Sequence, residues 1–436
     1  MPPCSQGTTK TNTKTLNEKD KHAAEAALRL LDRLPQPTQL LGLALLLRLV
    51  LIIVAEVQDR LAEVAYTDID YQVFTDSAES VTLGISPFAG RTALLNADAT
   101  KFRYTPFLAF ILVPNIWLHK AWGKLFFSVF DILAGVVLRN WLERFSSDSM
   151  TVRLSLCLWL FNPFCFTIST RGSGESLVIF VVYCTFWVAY CQPSRPGLVG
   201  LLLGFAIHWR VYPVIFGLPI LLRFLGPWPF WKQPLAQLLP RLKMVVVFGL
   251  STVASFLFLG AVCYSLYGWE FLEACYLYHG RRLDPQHNFS VYFYPTALHL
   301  EDPTGTWPNI AKFATLPQLA LCFWMGMLES SSTPGTAALM QSLAFVATNK
   351  VITAQYFVWW WAMLPLAMPF LRWWRWKFWR ALLSWVGAEI HWLLWAYLLE
   401  FRKWPVRPVV WAGSCIFLAA HLHVLVQVRQ STVQLK

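Results

Sequence analysis

Long apolar runs separated by short basic segments are the feature that most limits how this chain can fold. They recur along most of the 436 residues, from a first run at about 38–56 to a last one at about 409–427. A helix needs about 20 apolar residues to cross the hydrocarbon core of a bilayer. The runs predict an all-α polytopic membrane protein with about 11–13 transmembrane or re-entrant helices.

The composition excludes most soluble classes of protein. Only 14% of the residues are charged, whereas soluble domains carry about 25%. The net charge of +12 comes from basic residues clustered between apolar runs, which is the positive-inside pattern of membrane proteins and not a nucleic-acid surface. Nine cysteines are present without a CxxC pair, so no zinc site is predicted. No internal repeat is visible, which weighs against an inverted-repeat transporter.

The charge pattern also predicts how the chain is arranged across the membrane. Residues 1–37 read as a polar cytosolic tail, 38–427 as the transmembrane domain with lumenal loops 57–105 and 267–305, and 428–436 as a cytosolic tail. The short run 106–118 is favoured as re-entrant, because this choice places more of the basic clusters in the cytosol.

The first long loop begins with two carboxylates, Asp68 and Asp70, in a DxD spacing. Inverting glycosyl transfer needs a carboxylate that takes the proton of the attacking hydroxyl, and this pair is the candidate, with Asp68 favoured. An ordinary solvated acidic loop is the alternative interpretation.

Several charged, polar and aromatic residues at the ends of apolar runs are candidates for binding substrate, and the arginines among them are candidates for binding a phosphate group. A guanidinium can hold phosphate oxygens with two parallel hydrogen bonds, although arginines at helix ends also serve as interfacial anchors. The candidates are Arg103, Tyr104, Arg171, Glu175, His208, Arg210 and Tyr212.

The second long loop and a late break between apolar runs mix rings with polar side chains, which suits a sugar ligand. An interfacial aromatic belt would look similar. The candidates are Glu270, His279, Arg282, His287, Asn288, Gln355 and Tyr356. Asn288 also begins a glycosylation sequon.

In combination these motifs resemble the PIG-M family, the catalytic subunits of GPI mannosyltransferase I, which are GT-C enzymes. The resemblance covers about 38–427 and rests on YTDIDYQVFTD at 66–76, RYTP at 103–106, GK at 123–124, NP at 162–163, STRG at 169–172, YGWEFLE at 267–273, the Tyr278–His279 pair, HNFS at 287–290 and QYF at 355–357.

The resemblance implies a GT-C fold in the endoplasmic reticulum membrane with a lumenal active site containing Asp68 and Asp70. It implies dolichyl-phosphate mannose as the donor and glucosaminyl-phosphatidylinositol as the acceptor, joined by an α-1,4 bond with inversion. It further implies a small accessory membrane subunit. No cofactor is required; a divalent metal is compatible with DxD but is not needed when the leaving group is a lipid phosphate.

The chain departs from the family pattern in three places. Glu175 stands where Asp is expected, Arg210 stands where Lys is usual, and a stretch around Ala93–Lys101 lengthens the first loop. Three alternatives stay open: another dolichol-linked GT-C mannosyltransferase with a different acceptor, a lipid or sugar transporter, and a structural subunit of an enzyme complex.

Overall fold

The computed structural model of the protein describes residues 34–89, 101–226, 229–304, 310–329 and 333–433. Most of the predicted N-terminal tail, the stretch 93–100 and the last three residues of the predicted C-terminal tail lie outside these ranges. Within them no strand forms beyond an isolated bridge between Leu371 and Thr432. The prediction of an all-α protein is therefore confirmed for the described chain.

The α-helices are numbered in chain order. They are α1 (Pro37–Leu61), α2 (Ile69–Thr82), α3 (Pro106–Ile111), α4 (Pro114–Trp117), α5 (Trp122–Phe145), α6 (Ser149–Leu160), α7 (Pro163–Thr170), α8 (Glu175–Cys191), α9 (Pro196–Trp209), α10 (Gly217–Leu225), α11 (Leu235–Leu272), α12 (Tyr278–Arg281), α13 (Phe293–Glu301), α14 (Thr315–Glu329), α15 (Pro334–Ala347), α16 (Phe357–Trp361), α17 (Met363–Ala367), α18 (Trp376–Glu400) and α19 (Arg407–Ser431). Short 3₁₀ turns connect several of them, including Tyr212–Phe216 and Ala354–Tyr356.

Six helical segments in the described ranges are long and apolar enough to cross a membrane. Five are α1, α5, α11, α18 and α19, and the sixth begins at Tyr212. Their outward faces carry exposed leucine, isoleucine and valine, such as Leu46 and Ile53 on α1, as expected where lipid is the solvent. The chain is thus a multi-pass membrane protein.

Several apolar helices are too short to span alone. Helices α6 and α7 meet at an angle of 45° and form one broken span or a re-entrant loop. The bend lies at Asn162–Pro163, where the Asn162 side chain accepts a 3.0 Å hydrogen bond from the amide of Phe164 and caps α7. Helices α3 and α4 are also broken, and together they cover only Pro106–Trp117. That segment is about 18 Å long, short of the core thickness of about 30 Å, so it does not span by itself.

A buried ion pair joins the helices beneath the first loop. Arg48 of α1 and Asp131 of α5 are both fully buried, with Arg48 Nε 2.9 Å from Asp131 Oδ2. The same carboxylate oxygen accepts a 2.7 Å hydrogen bond from Ser169 of α7, and Arg48 also donates to the carbonyl of Leu160 at 2.9 Å. Charges at membrane depth are stable only when paired, so this pair fixes α1, α5 and α7 against one another.

Helices α9 and α11 pack closely through glycine. A Cβ atom at Gly200 would lie 2.4 Å from the carbonyl oxygen of Phe248, and one at Gly204 would lie 2.4 Å from that of Thr252. Small residues let helix backbones approach in this way inside membranes. The contact holds α11, a 38-residue helix whose backbone leaves helical geometry at Gly268 (φ 57°, ψ −139°).

Gly200→Ala is expected to destabilise the protein by about 1–3 kcal/mol, because the added methyl group would overpack the helix contact. The matched control is Gly249→Ala on α11, since a Cβ atom there meets nothing within 4 Å and alanine has the higher helix propensity. Thermal unfolding in detergent should show a lower midpoint for Gly200→Ala only. Equal midpoints for the two variants would mean that the contact is not tight.

Candidate active site

A cavity of about 830 Å³ lies where the first loop, the second loop and the late helix break meet. Its lining comes from the segments 68–70, 101–105, 164–175, 208–212, 275–287 and 345–359. The structure brings fourteen of the predicted site residues to this one cavity: Asp68, Asp70, Arg103, Tyr104, Arg171, Glu175, His208, Arg210, Tyr212, His279, Arg282, His287, Gln355 and Tyr356. Two others, Glu270 and Asn288, do not line it.

The two carboxylates differ in what they already bind. Asp68 caps α2, because its Oδ1 accepts a 3.2 Å hydrogen bond from the amide of Asp70. Its Oδ2 lies 3.7 Å from Arg171 Nη2 and accepts a 3.3 Å hydrogen bond from the Gln355 amide. Both oxygens of Asp68 are therefore engaged by the protein.

Asp70 keeps one oxygen available. Its Oδ2 accepts hydrogen bonds from the Tyr104 hydroxyl at 2.7 Å and from Gln355 at 3.2 Å, while its Oδ1 accepts none from the described residues. Burial, followed by the neighbouring Asp70 carboxylate, raises the pKa of Tyr104 well above its usual value. Tyr104 therefore stays protonated and fixes the orientation of Asp70.

A cation lies over the ring of Tyr104. The Arg210 guanidinium is centred 4.4 Å from the Tyr104 ring, a cation–π distance. Its Nε lies 2.8 Å from Glu175 Oε1, an ion-pair distance without hydrogen-bond alignment. The other oxygen of Glu175 accepts a 2.9 Å hydrogen bond from Trp359 Nε1. A chain of contacts from Trp359 through Glu175 thus holds Arg210 toward the cavity.

Aromatic rings form one wall. Trp359 stacks between Tyr212 and Tyr356, with ring centroids 4.2 Å apart on each side and interplanar angles of 11° and 17°. Tyr212 and Trp359 are buried within the stack, whereas Tyr356 at its end is partly exposed and lines the cavity. The flat ring of Tyr356 therefore offers apolar surface to the face of a sugar.

Further cations lie on the side formed by the second loop. Arg282 pairs with Asp284 at 2.5 Å, and the Arg103 guanidinium lies 3.2 Å from the centre of the Tyr278 ring. Lys350 Nζ donates a 2.6 Å hydrogen bond to the carbonyl of Gly280. Burial, followed by the charge of Arg282, lowers the pKa of Lys350. The crowding of positive charge makes this side of the cavity suited to an anion.

The predicted histidines have different surroundings. His208 is buried, and its two ring nitrogens lie 2.9 Å from the Thr105 hydroxyl and 3.0 Å from the Tyr276 hydroxyl. His279 approaches the Arg103 carbonyl at 3.4 Å. His287 is exposed and lies 3.1 Å from Glu400. Of the three, His208 has both nitrogens engaged within the protein.

The two residues outside the lining make contacts of another kind. Glu270 accepts a 2.8 Å hydrogen bond from Ser86 at the protein surface. Asn288 is 2% exposed. Its amide donates to the carbonyls of Asp284 and Lys350, and its oxygen accepts from the amides of Ser290 and Ile352. The hydrogen bonds of Asn288 therefore anchor the second loop to the segment that carries Lys350.

Asn288→Ala is expected to lower the free energy of unfolding by about 3 kcal/mol, because buried backbone groups would lose their partners. Gln286→Ala is the matched control, since Gln286 is exposed and makes no hydrogen bond to the described residues. Thermal unfolding of both variants in detergent measures the difference. An unchanged unfolding midpoint for Asn288→Ala would contradict the role of Asn288 in anchoring the second loop.

Some contributors were not predicted from the sequence. Trp359 belongs to a run of three tryptophans that looks like an interfacial anchor. Arg48 did carry a usable signal, since a charge inside the first apolar run requires a partner. Among the described residues no group of three or more His, Cys, Asp or Glu is arranged to hold a metal ion.

Comparison with known proteins identifies the family. The family model described as "Mannosyltransferase (PIG-M)" matches residues 168–429. The zebrafish (Danio rerio) protein named "GPI alpha-1,4-mannosyltransferase I, catalytic subunit" is 36% identical over 392 residues, covering 90% of this chain and 96% of its own. "GPI mannosyltransferase 1" of Saccharomyces cerevisiae is 36% identical, covering 85% and 89%, and that of Dictyostelium discoideum is 33% identical, covering 88% and 89%. The chain belongs to the PIG-M mannosyltransferase family.

Proposed function

We propose that this protein transfers the first mannose from dolichyl-phosphate mannose to glucosaminyl-phosphatidylinositol, forming an α-1,4 bond during GPI-anchor assembly. The observation that carries the proposal is the arrangement of Asp70, Tyr104 and Arg210, which puts a carboxylate with an available oxygen at the hydroxyl of one ring and a cation over the face of that ring. The names of the relatives support a GPI acceptor and, for the zebrafish protein, an α-1,4 linkage.

Asp70 is the proposed base. Oδ1 of Asp70 takes the proton of the attacking glucosamine hydroxyl, and the hydroxyl oxygen attacks C1 of mannose. The bond between C1 and the phosphate oxygen breaks, and the electron pair leaves with dolichyl phosphate. Attack from the face opposite the phosphate converts a β-linked donor into an α product.

The geometry favours Asp70 over Asp68, which the sequence had favoured. Asp68 already caps α2 and lies next to Arg171 and Gln355, so both of its oxygens have partners in the protein, whereas Oδ1 of Asp70 accepts no hydrogen bond from the described residues. Asp68 has a supporting role in this mechanism, since it shares the Gln355 amide with Asp70.

Arg210 is the proposed main contact of the leaving phosphate, with Arg171, Arg282 and His279 as further contacts. The negative charge on the phosphate grows as the bond to C1 breaks. Cations fixed before the reaction stabilise that growing charge without reorganising. Tyr356, held at the end of the stack with Trp359 and Tyr212, is the proposed surface for a sugar ring.

The cellular setting follows from the same proposal. The enzyme would lie in the endoplasmic reticulum membrane with its cavity open to the lumen, where both lipid substrates would reach it. The zebrafish relative is named as a catalytic subunit, which supports a further subunit for this protein; the proposal takes it to be a small accessory membrane subunit.

The direct test is transfer by the purified protein, with and without its accessory subunit. It would receive dolichyl-phosphate mannose labelled in the sugar, together with glucosaminyl-phosphatidylinositol. The expected product is a mannosylated lipid that α-mannosidase cleaves and whose linkage analysis gives an α-1,4 bond. Another linkage or acceptor would identify a related mannosyltransferase, and movement of lipid across vesicles without a product would identify a transporter.

A separate test addresses the side of the membrane. Ile69 lines the cavity and is 63% exposed, so Ile69→Cys offers a label beside the acid pair. An impermeant thiol reagent should modify it in opened microsomes and not in sealed ones. Modification in sealed microsomes above that of the wild-type chain, whose own cysteines include Cys4 in the predicted cytosolic tail, would put the acid pair in the cytosol and overturn the lumenal assignment.

A further inference from the structure

Lys124, in the Gly–Lys sequence at the start of α5, lies outside the cavity and is 2% exposed. Its ammonium is 3.2 Å from Glu56 Oε1 and 3.6 Å from Asp59 Oδ2, both at the end of α1. A buried lysine is stable only beside such counterions. These two ion pairs therefore hold the start of α5 against the end of α1.

Asp59 in turn holds the backbone that leads to the acid pair. Its Oδ1 accepts hydrogen bonds from the amides of Tyr66 at 2.7 Å and Thr67 at 3.0 Å, and its Oδ2 accepts one from the Thr67 hydroxyl. Asp68 is the next residue along the chain. A single carboxylate oriented by Lys124 thus fixes the two residues that precede Asp68.

The other side of this segment is held by the turn after α7. The Tyr66 hydroxyl lies 2.8 Å from the Thr170 hydroxyl, and the amide of Asp68 donates a 3.2 Å hydrogen bond to the carbonyl of Arg171. Residues 66–68 are thus fixed between α1 and the turn that carries Arg171. A shift of the Asp59 side chain would therefore displace Asp68 and Asp70.

We propose that Lys124 and Asp59 form a positioning pair that sets the location of Asp68 and Asp70 in the cavity. The inference rests on the mannosyl transfer proposed above. Neither residue lines the cavity, so both act through the acid pair. Displacing a catalytic group by about 1 Å can cost up to about 100-fold in rate.

A purely structural pair makes a different prediction. If Lys124 and Asp59 only held α1 to α5, their loss would reduce the amount of folded enzyme and leave the turnover of each folded molecule unchanged. A positioning pair predicts a lower kcat in folded protein, with KM for both lipids unchanged. The substitutions are mild, because Glu56 and Asp59 are each about a quarter exposed and stay hydrated without Lys124, and because Lys124 keeps Glu56 at 3.2 Å when Asp59 is replaced.

The experiment uses the full-length enzyme with its accessory subunit in the transfer assay, comparing Lys124→Met, Asp59→Asn and the double variant. Each single variant is expected to lower kcat about tenfold with KM within about twofold of wild type, and the double variant to resemble the single ones, since the two residues act as a unit. Thr67→Val, which removes only the hydroxyl, should lower kcat about threefold. Lys120→Met is the matched control: its side chain is exposed, and the bond from Tyr71 uses its backbone carbonyl.

Three outcomes would overturn the positioning role: kcat within about twofold of wild type for both single variants, losses that multiply in the double variant, or a drop in unfolding temperature that accounts for the lost turnover. Asp70→Asn in the same assay separates this inference from the function on which it rests. If Asp70→Asn is inactive while Lys124→Met is normal, only the positioning role fails. If Asp70→Asn turns over normally, the catalytic role of Asp70 fails first.

Discussion

Asp70→Asn is expected to lower kcat by about three orders of magnitude, within the range that removal of a general base produces. Asparagine keeps the size of the side chain and can still accept the hydrogen bond from Tyr104, so folding should be normal. It cannot take the proton of the attacking hydroxyl. Single-turnover transfer in detergent, normalised to folded protein, measures the effect.

Asp68→Asn is the matched control for that variant. Asparagine caps helices about as well as aspartate, so α2 should keep its start, and the expected loss in kcat is about tenfold from the weakened contact with Arg171. The reverse order, with Asp68→Asn inactive and Asp70→Asn active, would assign the base to Asp68.

Arg210→Gln is expected to lower kcat by about 10²–10³, the loss seen when one fixed group that stabilises developing negative charge is removed. Arg210→Lys should stay within about tenfold of wild type, because it keeps the charge and loses only the planar fork of donors. Lysine is also the residue usual at this position in the PIG-M pattern. The measurement is kcat at saturating donor and acceptor.

The Arg210→Gln variant also leaves Glu175, which is 1% exposed, without its cation, and this second effect needs a control. An unpaired buried charge destabilises a protein, so Arg210→Gln alone combines two effects. The double variant Glu175→Gln/Arg210→Gln removes both charges and should recover stability while kcat stays low. Recovery of kcat as well would show that Arg210 serves only to neutralise Glu175.

The fold class and the region of the site could be predicted because both depend on local signals. Apolar runs predict membrane helices wherever they pack, and charges such as Arg210 and Asp70 are conspicuous among apolar neighbours. The bend at Asn162–Pro163 is local too, since an asparagine cap followed by proline starts a helix.

Contacts between distant residues could not be predicted in this way. The hydrogen bond from Trp359 to Glu175 joins residues 184 positions apart, and nothing in the local sequence distinguishes Trp359 from an interfacial anchor. Asn288 shows the opposite case. It has the right chemistry for a sugar, but four backbone groups already use its amide, and only the folded chain reveals that.

The length of α11 has a consequence for how lipid affects the enzyme. From Leu235 to Tyr267, before the kink at Gly268, the helix is about 50 Å long, well beyond the thickness of the hydrocarbon core of about 30 Å. Beyond the kink the chain continues through Glu273–Leu277 into α12, which carries His279. A helix of this length meets a thinner or thicker bilayer by changing its tilt, and its far end moves with it. Because α12 follows the kink at the end of this long helix, we expect the acyl-chain length of the surrounding lipid to influence the geometry around His279 and Arg282, although no lipid headgroup needs to touch either side chain.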